Sequence, residues 1–194
     1  HEHRYSAGRL QWEATAGRFN VGVVGFRGNS KEAGACLAKW RQQVLDVCEL
    51  NPELGLCGDQ GYLNEWPTAY SGLQIMSSPG EGAAPWNIED RVATKSSSVV
   101  CISDKKLIFY HFHALRMSYN SRIRIVISQL AFGYIIPKSV KKFVYRPYLA
   151  HLHSVNKKLQ KQGFDFSEIG LTKIGVRAIS GSRNPGQEII HVLT

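Results

Sequence analysis

The chain has 194 residues, 43% of them hydrophobic and 20% charged, and a formal net charge of +9. That length and apolar share support a buried core, and the moderate charge content excludes wholesale disorder. No run of about 18 or more apolar residues occurs, so no spanning helix is expected.

The start, His1-Glu2-His3-Arg4-Tyr5, has neither an initiator Met nor a signal-peptide pattern, and it reads as the start of a fragment. Cys36, Cys48, Cys57 and Cys101 form no Cys-x-x-Cys pair; reduced core thiols and a cytoplasmic site are the expectation. The positive charge is unevenly placed. Up to residue 115 there are 11 Lys/Arg against 12 Asp/Glu, and from Arg116 onward 13 against 3. Such a bias suits contact with an anionic membrane face, a phosphate-bearing acceptor or nucleic acid, or equally a plain solvated basic surface.

In chain order, residues 18–27 mix β-branched and aromatic residues with glycines, the pattern of a buried strand that something approaches closely. Asn29 and Glu32 are spaced as a capping box, opening a helix whose Leu37, Trp40, Val44, Val47 and Cys48 form the inner face. Residues 59–66 read as a shorter helix ended by Pro67, and residues 73–76 as a short strand. Residues 80–98 read as mostly loop. The runs 99–102 and 107–112, joined by a polar turn at 103–106, resemble a hairpin or neighbouring strands. Residues 123–136 fit strand or helix equally. Pro147 suits the first turn of a helix with Leu149, Leu152, Val155 and Leu159 inward, ended by Gly163. From Gly170 onward, turn residues surround one apolar run at 189–193, and this stretch is expected to be loosely attached. Gly80-Glu81-Gly82 lacks the strand and helix that a dinucleotide-binding turn needs.

Several short motifs gain meaning from their order: Phe19-Asn20-Val21-Gly22, then Trp40 on a helix, then Asp59-Gln60 with Leu63-Asn64 and Trp66, then Ala84-Pro85-Trp86-Asn87, then Tyr110-His111-Phe112-His113. This succession resembles the GT-A nucleotide-sugar glycosyltransferases distantly related to glycogenin, over about residues 1–150. The resemblance implies the C-terminal portion of a GT-A α/β fold, a mixed sheet flanked by helices. Residues 1–150 would then be the C-terminal part of the catalytic domain, and 151–194 a basic helix and tail.

On that resemblance Asn20 and Gly22 lie along the sugar-nucleotide, Asp59 and Gln60 sit beside the sugar, and His111 completes a metal site, with His113 as second choice. Ala114 stands where the family's His-aromatic-x-Gly pattern has glycine. Arg116 would meet a diphosphate oxygen, or is a surface arginine. Trp86 and Asn87 would serve the acceptor or a donor lid, with core packing equally open, and Trp40 belongs to the core. The chemistry is coherent. A departing diphosphate is stabilised by a divalent cation acting as a Lewis acid, and an imidazole among oxygen ligands favours Mn²⁺ over Mg²⁺. Read alone, His111 would be a strand-end histidine bonded to backbone, and Asp59 a helix-start carboxylate favoured by the dipole. No acidic residue here is followed by another two positions later, so the family's Asp-x-Asp motif is expected upstream of His1.

The expected activity is therefore metal-assisted sugar transfer from a nucleotide diphosphate to a saccharide or lipid-linked acceptor in polysaccharide biosynthesis. The site would lie in the cytoplasm, at the inner face of the membrane if the basic half attaches there. The alternative is a non-catalytic basic module for membrane or nucleic acid. Nucleic acid is disfavoured because Tyr134, Tyr145 and Tyr148 sit in apolar patterns and not in a stacking row.

Overall fold

The computed structural model describes residues 1–7, 10, 13–120, 125–130, 134–164, 172–174 and 187–193. The protein is mixed α/β, with helices and small sheets. It divides into two compact units: His1–Arg91 with Cys101–His111, and Val92–Val100 with Phe112–Thr194.

The first unit is organised by the helix Lys31–Asp46. It begins one residue later than the Asn29 capping box would put it: Ser30 is extended (φ −94°), and its hydroxyl accepts from the Ala33 N–H at 3.2 Å. Asn29 is one position too far out to reach that donor, while Glu32 remains in the first turn, where the helix dipole favours it. The inner face is narrower than its apolar spacing implies. Cys36 is buried and Trp40 packs against the core, whereas Leu37, Val47 and Cys48 are exposed.

Opposite that face, Trp66 meets Phe26, Trp40 and Tyr70 with ring centroids 5.9, 5.5 and 6.3 Å away and planes 64°, 90° and 88° apart. Edge-to-face contacts of this kind set positive ring edges on negative ring faces. Phe19, Cys36 and Leu63 complete the cluster. Pro67 does not end a helix here. A 3₁₀ turn, Gly61–Glu65, leads into the helix Trp66–Ala69, and Pro67 occupies its first turn, where a missing N–H costs nothing.

Neither extended segment expected as a strand forms a ladder: Phe19 makes a single antiparallel bridge to Glu2, and residues 73–76 lie in no strand. Pairing occurs elsewhere. Ser103 and Asp104 both have positive φ (48° and 63°), the geometry of a two-residue hairpin turn, so Cys101 and Ile102 pair with Lys106 and Lys105. The hairpin thus closes earlier than the expected 107–112 strand. Phe109–Tyr110 is released to pair in parallel with Glu81–Ala83, inside a stretch that reads as loop.

In the second unit, Leu115–Asn120 pairs antiparallel with Ile125–Leu130, which pairs antiparallel with Gln187–Leu193, and Thr172–Ile174 lies parallel to Leu115–Asn120. The expectations for 165–171 and 175–186 fall outside the described residues. A turn at Lys138–Val140, a wider π turn at Lys141–Tyr145 and the helix Arg146–Lys161 follow without a break. Pro147 has no N–H to give the carbonyl four residues back, and the helix widens just before it. Val140, Val144, Tyr145 and Leu149 are buried, with Phe112 stacked on Tyr148 at 4.0 Å and edge-on to Tyr145 at 5.1 Å. Leu149 faces inward as expected, Val155 is exposed, and the helix stops at Gly163 (φ +85°). Among the described residues no helix is long and apolar enough to cross a membrane.

Trp66 is 8% exposed and sits among three rings. Trp66→Ala is expected to cost about 3–5 kcal/mol. Urea unfolding of wild type and variant measures it, and a loss below about 1 kcal/mol would show that the aromatic cluster does not hold this unit together.

Candidate functional site

The site grows from the extended segment at His1–His3. The His3 N–H donates to the Arg18 carbonyl, and the Asn20 N–H to the His1 carbonyl, each at 2.8 Å. Alternation along an extended chain puts His1 and His3 on one face. His3 is 3% exposed, so its polar atoms need partners inside the protein. Nδ1 lies 2.8 Å from the Gly17 carbonyl and Nε2 lies 3.3 Å from the Asn20 amide nitrogen. The two partners fix one neutral tautomer: Nδ1–H donates to Gly17, and Nε2 accepts from Asn20. The His3 carbonyl accepts from the Trp86 indole at 3.1 Å and the Asn87 amide at 2.7 Å. Burial lowers the His3 pKa to about 4, against a hydrogen bond to Gly17 that raises it, with nearby His111 among the lesser lowering causes.

From Asn20 the network continues. Its amide nitrogen also donates to Gln60 Oε1 at 3.2 Å, and its Oδ1 accepts from the Gly22 N–H at 2.7 Å. Gln60 Nε2 donates to the Ala16 carbonyl at 2.7 Å. Gln60 precedes the 61–65 turn without capping it, because its amide is committed to this network. Gly22 is where other groups close in. A β-carbon there would lie 2.5 Å from His111 Nδ1, 2.8 Å from Asn20 Oδ1 and 3.2 Å from His1 Cε1. Glycine is the residue that permits this approach. Gly82 (φ +82°) likewise has the His1 ring lying where a β-carbon would stand.

His111 is delivered by the parallel pairing of Phe109–Tyr110, its N–H donating to the Ala83 carbonyl at 2.8 Å. Its ring sits edge-on to Trp86 at 5.1 Å, and Trp86 sits edge-on to His3 at 5.3 Å. Asn20, Gly22, Gln60, Trp86, Asn87 and His111 therefore converge on one place. Trp86 and Asn87 are 4% and 2% exposed, and Asn87 also binds the Gly82 carbonyl and the Ala84 N–H, so both are spent on interior packing. Asp59 is half-buried; its carbonyl accepts from the Trp40 indole at 2.9 Å. His113 belongs to the second unit, where burial lowers its pKa and its ring is edge-on to Tyr134 at 6.2 Å. Arg116 lies in the Leu115–Asn120 strand, and its side chain lies outside the described residues.

Among the described residues no group of three or more His, Cys, Asp or Glu converges to hold a metal ion. Of the two residues named for a metal, His111 lies at this convergence and His113 in the second unit. Sequence reasoning missed His1 and His3. The available signal was their spacing of two, which places two imidazoles on one face of an extended chain.

No protein-family model matches the chain, and no solved structure matches it. It is similar to two proteins of Bacillus subtilis (strain 168) named as uncharacterized. It is 32% identical to YfnD over 170 residues, 86% of this chain and 53% of that protein. It is 32% identical to YfnF over 103 residues, 52% of this chain and 33% of that protein. The chain thus spans about half the length of the first and a third of the second.

His3 ties stability to pH. Unfolded, the imidazole takes up a proton near its ordinary 6.5; folded, only near 4. Its contribution is therefore complete above pH 6.5 and is lost as pH falls toward 4, by about 3 kcal/mol. Urea unfolding at pH 7 and pH 4.5 should show most of that loss in wild type and much less in His3→Gln. His113, also lowered by burial, contributes slope to both proteins. Equal slopes would place the His3 ring in solvent.

Proposed function

We propose that this chain forms the part of a GT-A glycosyltransferase that holds a nucleotide-diphosphate sugar at its reacting end. The observation that carries the reading is the convergence of Asn20, Gly22, Gln60 and His111. These residues span positions 20 to 111, and the resemblance sets Asn20 and Gly22 along the sugar-nucleotide, Gln60 beside the sugar and His111 in the metal site. A second observation agrees with it. Ala114, which replaces the glycine of the family pattern, has φ +59°, a conformation that glycine adopts without the strain a β-carbon brings.

In this reading the exposed face of Gly22 lets a diphosphate approach the backbone closely, while Asn20 and Gln60, whose amides are spent on His3, Gly22, Ala16 and one another, hold that backbone in place. A backbone fixed in this way needs no rearrangement as charge develops on the leaving group. His111 would hold one position on Mn²⁺ or Mg²⁺, which when bound would supply Lewis-acid stabilisation of the departing diphosphate. Asp59 lies beside the sugar, where a carboxylate stabilises an oxocarbenium-like transition state or orients the acceptor hydroxyl.

The test is thermal melting with UDP, GDP and ADP, with and without Mn²⁺. One nucleotide should raise the melting temperature of wild type, more with Mn²⁺ than without, and His111→Ala should remove the metal-dependent part. No nucleotide-dependent rise, combined with salt-sensitive binding to random oligonucleotides, would favour the basic binding module.

The acceptor side of the proposal includes the membrane. Lys138, Lys142 and Arg146 are exposed at spacings of four along the helical stretch, with Val140, Val144 and Tyr145 buried between them. Each charge beside an anionic leaflet contributes about 1 kcal/mol. Wild type should co-sediment with anionic liposomes at low salt and release at high salt, and a variant with Lys138, Lys141, Lys142 and Arg146 changed to Gln should remain in solution. Equal sedimentation of both would leave these residues as ordinary surface.

A further inference from the structure

Beyond the polar network, the first unit carries a groove of about 540 Å³ beside the start of the Lys31–Asp46 helix. Phe26, Trp66 and Tyr70 form its apolar walls, and Arg27, Glu32 and Gln74 stand exposed on its rim. A narrower cleft of about 90 Å³ shares Gly25, Trp66, Leu73 and Gln74 with it and reaches His1. The two clefts adjoin, the wider one polar-rimmed and the narrower one lined mostly by apolar side chains.

In the narrower cleft the His1 residue is 8% exposed, and among the described residues neither Nδ1 nor Nε2 has a hydrogen-bond partner. A buried imidazole left unsatisfied is costly, and a hydroxyl bound in the cleft would satisfy it. Its Cε1 would be 3.2 Å from a β-carbon on Gly22, the same point on which His111 Nδ1 and Asn20 Oδ1 converge. The narrower cleft therefore lies beside the proposed donor site.

We infer that the groove and the cleft that adjoins it are an acceptor subsite for the end of a neutral saccharide chain, with His1 hydrogen-bonded to its terminal hydroxyl. This rests on the glycosyltransferase reading. The chemistry of the lining selects the ligand. The rim pairs one cation, Arg27, with one anion, Glu32, so no net charge attracts a charged ligand. Guanidinium, carboxylate and amide supply the planar donors and acceptors that hydroxyl groups match, and the aromatic walls suit the C–H faces of sugar rings. The volume falls within the range of small-molecule sites, about 300–1,000 Å³.

The experiment is NMR titration of the chain with maltotetraose, cellotetraose and chitotetraose. A separate arm uses UDP with Mn²⁺. One tetrasaccharide should saturably shift the Trp66 indole N–H and the His1 imidazole resonances. Arg27→Ala combined with Gln74→Ala, both exposed positions outside the packed core, should weaken that binding at least tenfold. No shift at Trp66 and His1 with any of the three, or unchanged binding by the double variant, overturns the inference. The UDP arm reads the donor site through the Gly22 amide. A Gly22 response without a groove response sinks the acceptor subsite alone, and a groove response without a Gly22 response sinks the donor reading alone.

Discussion

The first unit depends on burying a neutral imidazole. His3 is 3% exposed and carries four polar groups, each matched inside the protein, its N–H by the Arg18 carbonyl. The ring takes the Gly17 carbonyl and the Asn20 amide, and the backbone carbonyl takes the Trp86 indole and the Asn87 amide. Satisfying one residue thereby ties the segment at 17–20 to the segment at 82–87. A protonated His3 would put a second donor against the Asn20 amide, which is why the fold holds the ring neutral and why its tautomer is settled.

Once His3 fixes Asn20, little freedom remains downstream. The Asn20 amide nitrogen has two donors and two acceptors to meet, His3 and Gln60, so its oxygen must turn to the Gly22 N–H. Gln60 is held in the same sense, its oxygen facing Asn20 and its nitrogen facing Ala16. An amide that accepted the wrong way round would break two bonds at once, at about 1 kcal/mol or more each. The network carries no formal charge. Under the donor role proposed above, that neutrality would admit an anionic diphosphate without repelling it and would leave charge neutralisation to a cation.

How much was legible depended on whether local rules were in competition. The helix at 31–46 and the stop at Gly163 follow from local signals, although Ser30 and not Asn29 is the cap, Leu37, Val47 and Cys48 fall outside the buried face, and Pro147 sits in a helical stretch that already begins at Lys138. The hairpin was misplaced because Ser103 and Asp104 both adopt positive φ, and non-glycine residues give little sign of that in advance. Pro67 was read as a terminator although a first turn accepts it as well. The candidate site residues are named by their order in the chain, whereas the convergence of six of them comes from long-range bonds such as those of His3, which leave no periodic trace.

Trp40 shows how core and site are joined. By its helical spacing it belongs to the apolar stripe, and its ring does stand perpendicular to Trp66 at 5.5 Å. Its indole N–H nevertheless reaches the Asp59 carbonyl at 2.9 Å. Asp59 is followed directly by Gln60, the far end of the amide network. The helix therefore sets the position of the 59–60 segment through a single hydrogen bond from a residue anchored in the aromatic cluster. Phenylalanine at this position would keep most of the packing and lose that bond. The distinction between a structural tryptophan and a positioning one then lies in whether the 59–60 backbone moves while stability is largely retained.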